Sequence, residues 1–79
     1  MQVEVIVQLK SEVLDTEGRA IKETLNRLGH QDLKDVKVTK RYVLDLNEAN
    51  KAAAETAATN IAKEFLANSV SETFQIKVL

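Results

Sequence analysis

An α+β two-layer sandwich, with two helices on one face of an antiparallel sheet, is the fold class this chain predicts. Three observations carry it. Apolar and polar residues alternate at both ends, in 2–9 and again through Phe74, Ile76 and Val78, the period of half-buried strands. Two intervening stretches carry helix signals, Ile21, Leu25 and Leu28 in the first and an alanine-rich run between 49 and 67 in the second. Between them, Val36 to Leu46 keeps its apolar positions on one parity.

In the first strand Val3, Val5, Val7 and Leu9 share a side, opposite Gln2, Glu4, Ile6 and Gln8. Ile6 breaks the polar side, so part of that second face is expected to be covered as well. Asp15 offers an N-cap carboxylate, and Thr16 takes the first helical position. Glu17 in the first turn and Arg27 in the last both favour the helix dipole. Gly29 suits a left-handed C′ residue, so the first helix is expected over about 16–28.

Positions 36, 38, 42, 44 and 46 all share one face, interrupted by Lys40. One long bent strand satisfies that parity. A hairpin with a three-residue loop at Thr39-Lys40-Arg41 does too. Thr39 is β-branched and disfavours a tight positive-φ turn, which favours the single strand. Asn47 is expected to cap the second helix, which runs to about Ala67 with Asn68 as its C′ residue. Ala54, Ala58, Ile61 and Phe65 form its stripe, and the small residues let its backbone approach a neighbour closely. The resulting β-α-β-α-β order is close to the ferredoxin-like pattern, with the middle strands fused, bent or split.

The 79 residues suffice for one domain, 1–79. A chain this short buries only about 60% of its unfolded surface, and without cysteine it has no disulfide to add stability. Oligomerisation is the remaining remedy, and a long strand with unpaired backbone would accept a second copy. The formal net charge of −1 and dispersed Lys and Arg argue against nucleic acid, as does the scarcity of aromatics for base stacking. No apolar run approaches the ~20 residues of a membrane span, so a soluble cytoplasmic protein is expected.

Chemistry-bearing residues are sparse. Without cysteine there is no thiol nucleophile, and the single histidine, His30, falls in a helix-end loop where it suits the helix C-terminus. One histidine supplies no zinc or iron site. Glu12, Asp15 and Glu17 gather at a helix N-terminus, where capping explains them. Gly18 and Gly29 make no phosphate-binding loop, and Gly18 suits either helix-to-sheet packing or the approach of a partner's backbone. No catalytic, cofactor-binding or metal-ligating residue is assigned. Interface candidates are Lys40, Arg41 and Tyr42 in the central strand and Leu66, Ala67 and Asn68 at the end of the second helix.

Val13-Leu14-Asp15-Thr16-Glu17-Gly18 resembles the V-L-D-P-x-G stretch of the PurS family, the small subunits of phosphoribosylformylglycinamidine (FGAM) synthase. Phe65-Leu66-Ala67-Asn68-Ser69-Val70 resembles its L-L-A-N-P-V stretch, and Val36–Leu46 its V-x-V-G-K-x-x-x-L strand. The order and spacing agree over the whole chain. Departures are Thr16 and Ser69 in place of proline, Thr39 in place of glycine, and Ser71 at a commonly apolar position. The resemblance implies a non-catalytic subunit of a glutamine-hydrolysing, ATP-dependent ligase of purine biosynthesis. It implies a homodimer or higher oligomer that bridges a large synthetase subunit, holding ATP and Mg, and a glutaminase subunit, supporting ammonia transfer. The alternative is a dimeric regulatory module of the ACT type that binds a small molecule.

Overall fold

The computed structural model describes all residues, Met1–Leu79, in the order β1 (Gln2–Leu9), α1 (Thr16–Arg27), β2 (Lys40–Asp45), α2 (Lys51–Ile61) and β3 (Glu72–Val78). A π-helical turn, Ala62–Leu66, continues α2. The sheet is antiparallel with order β2-β1-β3. Val5 faces Tyr42 on one side and Ile76 on the other, so the apolar parities of all three strands coincide. The fold is the ferredoxin-like α+β arrangement of two helices with an antiparallel sheet.

Val3, Val5 and Val7 are fully buried against Ala54, Ala58 and Ala62. Alanine at every fourth position lets the α2 backbone lie close over the central strand. Around this thin core pack Tyr42, Leu44 and Leu46 from one side and Phe74, Ile76 and Val78 from the other. Ile6, on the opposite face, is half-buried between Arg41 and Gln75 in register.

α2 departs from the sequence expectation at both ends. Its N-cap is Asn50 rather than Asn47: the Asn50 side chain accepts from the Ala52 and Ala53 amides at 2.8 and 3.3 Å. Asn47–Ala49 form the irregular link that turns the chain back over the sheet. At the other end the Ala67 amide donates to the Ala62 carbonyl at 2.9 Å, a five-residue step that widens the last turn. The extra residue brings Ala67 onto the core beside Leu66 and turns Phe65 outward, where it is 89% exposed instead of completing the stripe. Asn68 is not a left-handed cap, since only Gly29 has positive φ.

α1 ends as its sequence predicts. Gly29, at φ 108°, donates to the Asn26 carbonyl, and the His30 amide donates to the Leu25 carbonyl at 3.0 Å. That paired arrangement is the Schellman closure. The chain then returns along α1, and only from Lys40 does it pair with β1, opposite Val7. Val36–Leu46 is therefore no hairpin, but strand pairing covers only its second half.

α2 covers the sheet, whereas α1 scarcely touches it. Ile21 and Leu28, from the apolar stripe of α1, are 38% and 71% exposed. The radius of gyration is 16.0 Å, against about 12 Å for a compact domain of this length.

Candidate functional site

The three stretches that carry the family resemblance converge at the end of β1. Lys10, just past that strand, donates its amide to the Ser71 carbonyl at 2.9 Å and its ammonium to the Ser69 carbonyl at 2.9 Å. This fastens the loop after the π-turn to the exit from β1. Five residues later Asp15 caps the start of α1, and both its carboxylate oxygens are engaged. Oδ1 accepts from the Gly18 amide and Oδ2 from the Val38 amide, each at 2.8 Å. The first bond is the N-cap that the sequence predicts. The second joins the helix start to the chain 23 residues later.

Gly18 makes that junction possible. A Cβ there would lie 2.2 Å from the Val36 carbonyl oxygen, so any side chain would push the return segment away. Gly18 is buried by backbone rather than by the packing of helix on sheet, and the backbone is the chain's own. The hydrogen bonds from Val38 and Gly18, in that order, hold the Asp15 carboxyl below its ordinary pKa of 3.8. Lys37 adds to them against partial desolvation.

Between β1, the loop to α1 and the return segment lies an open cleft of about 530 Å³, whose lining residues include Lys10, Glu12, Val13, Lys37 and Thr73. A smaller recess of about 290 Å³ adjoins it, bordered by Leu14, Glu17, Lys40 and Glu72. Asp15 and Val38 line both. A carboxylate with both oxygens occupied and its charge favoured is a poor proton acceptor near neutrality. Lys10 is committed to Ser69. The chemistry on offer is recognition through exposed backbone and side chains. Nowhere do three His, Cys, Asp or Glu side chains meet as metal ligands.

The six interface candidates fall in different settings. Lys40 borders the smaller recess, on the same sheet face as Val7. Arg41 points to the opposite face, where it is paired with Glu4. Tyr42 returns to the apolar face and packs on the core, as do Leu66 and Ala67. Asn68 builds the turn into β3: its carbonyl accepts from Ser71 and Glu72, and its side chain from Val70 at 2.9 Å. Asp15, Gly18 and Lys10 are the residues of this region that sequence reasoning underrated. The DTEG stretch signals a cap, but nothing local reveals that Val38 is its second donor.

The sequence matches the family described as PurS, phosphoribosylformylglycinamidine (FGAM) synthase, over residues 2–79. The PurS subunit of Mycobacterium leprae is 38% identical over 89% of this chain and 85% of its own length. That of Methanocaldococcus jannaschii is 35% identical over 94% and 89%. The crystal structure of the M. jannaschii PurS, a subunit of formylglycinamide ribonucleotide amidotransferase, superimposes with a TM-score of 0.89 at 34% identity. That superposition covers 96% of this chain and 92% of the other. The Thermotoga maritima PurS subunit gives 0.89 at 26% identity, covering 99% and 90%. With residues 2–79 matched, and with fold and sequence agreeing over nearly the full length of these relatives, the chain belongs to the PurS family of FGAM synthase subunits of purine biosynthesis.

Proposed function

We propose that the chain acts as a homodimeric, non-catalytic bridge between the ATP- and Mg-binding synthetase subunit and the glutaminase subunit of FGAM synthase. In that position it would hold the two sites in register for ammonia transfer. The observation that carries this reading is the uncovered apolar surface. In the α1 stripe Ile21 and Leu28 are exposed, and Phe65 and Val70 are 89% and 81% exposed beside the turn that Lys10 fastens. Isolated apolar residues are normal on surfaces, but a helix stripe that its own sheet does not cover needs a partner. A second copy is the simplest cover for α1, which leaves the β1 exit and the Phe65–Val70 turn for the other subunits. The absence of cysteine supports the assignment of glutamine hydrolysis to another chain.

Co-expression tests it. A tagged chain is expected to retain both a large synthetase subunit and a glutaminase through purification, and to be required for glutamine-dependent turnover. Glutamine-dependent FGAM formation by the other two subunits alone, at an undiminished rate, would refute the bridging role.

A further inference from the structure

The segment from Asp15 to Val38 is laced to itself and scarcely to the sheet. At its base the Asp15 carboxylate ties the α1 start to Val38, with the Val36 carbonyl lying on Gly18. At its tip the Asn26 side-chain amide donates to the His30 and Leu33 carbonyls at 2.8 and 3.2 Å. Each connection to the sheet passes through one exposed residue, Leu14 or Thr39, whose backbone makes no hydrogen bond. Just outside these connectors the chain is anchored, by Lys10 to Ser69 and Ser71 and by Lys40 opposite Val7.

From this we infer that residues 15–38 form a separately opening arm, closed at its base by Asp15 as a clasp. A 12-residue helix is marginal in water on its own. With little sheet contact to support it, α1 depends on the return segment, and that segment depends on the Asp15–Val38 bond. Opening the clasp releases both together while β1, β3 and α2 keep their core. The arm carries the stripe of Ile21, Leu25 and Leu28, so the clasp controls whether that surface is offered as an ordered helix. The inference concerns this chain alone and does not rest on the bridging role.

Residue-resolved amide hydrogen exchange on the full chain, in low denaturant and at a dilution where sedimentation shows the monomer, tests it. The hydrogen-bonded amides of α1, Leu33 and Val38 are expected to merge into one opening unit that exchanges at least tenfold faster than Val3–Val7. Asp15→Ala should speed exchange throughout α1, including Leu25 to Leu28, by tenfold or more and leave the sheet amides unchanged. Gly18→Ala, whose Cβ would displace the Val36 carbonyl and crowd the Asp15 carboxylate, should do the same. Asp15→Asn, with one acceptor oxygen, should fall between. Arm and sheet exchanging as one unit in the wild type would overturn the proposal. So would an effect of Asp15→Ala confined to the first turn of α1 and Val38, because loss of a cap alone frays only that end.

Discussion

Asp15 shows how one side chain can serve local and long-range structure together. Its carboxylate is favoured in the folded chain by the Val38 and Gly18 amides, so its folded pKa lies below the ordinary value of 3.8 that it takes when unfolded. The stabilisation it gives is therefore fully present above that unfolded value and is lost as pH falls through the folded one. Thermal melts between neutrality and strong acid should show the wild type losing more stability below about pH 4 than Asp15→Ala does. Parallel curves would show that the carboxylate is not coupled to folding. Gly18→Ala is expected to cost about 1–3 kcal/mol, the usual range for forcing atoms into filled space. Lys40 and Arg41, adjacent in sequence, lie on opposite faces of β2, so their single alanine variants should behave differently. Arg41→Ala loses an ion pair exposed on the arginine side, worth at most about 1 kcal/mol. Lys40→Ala should leave stability unchanged and weaken complex assembly, if the recess it borders receives a partner; equal affinity in a binding assay would assign Lys40 to solvent.

At the scale of elements, α2 is set by its cap and by its final wide turn. Asn50→Ala should destabilise the chain by about 1 kcal/mol, because two first-turn amides lose their acceptor. Asn47→Ala should change it by less than about 0.5 kcal/mol, and chemical denaturation of the pair distinguishes the two caps. The π-turn has a consequence for Phe65. A regular α-helix would carry the Ala54–Ala58–Ala62 stripe onward without the added residue. With it, Ala67 joins Leu66, the next member of that stripe, on the core and the phenyl ring stands in solvent. Phe65→Ser is accordingly expected to leave the melting temperature of the isolated chain nearly unchanged. Its effect should appear in binding to the other synthase subunits, measured by calorimetry on the same sample.

At the scale of the whole molecule, only seven residues are buried, and the principal extents are 49 × 25 × 14 Å. So thin a core leaves much of the chain's apolar surface outside, and a second copy would cover it. Sedimentation equilibrium at micromolar concentration should therefore give a dimer or larger species, with stability that rises with protein concentration. A well-folded monomer with concentration-independent melting would remove that argument.

Strand parity, the Asp15 cap, the Gly29 closure and the α+β order were all decided within the sequence. Each depends on neighbours only a few residues apart, where periodicity and steric preference act directly. The three family stretches were legible in the same way, as short local patterns. The tertiary structure decided the rest. Asn50 rather than Asn47 caps α2 because the position of the sheet sets where the helix must start. Phe65 faces water because the core is reached by an extra residue in the last turn, which no helical period encodes. Val36–Val38 stays off the sheet because the Asp15 carboxylate and the bare Cα of Gly18 offer those residues a closer seat than further pairing beyond Val7–Lys40 would. Such contacts join positions 18 to 23 residues apart, and hydrogen-bonding partners at that distance are chosen by the path of the chain in space.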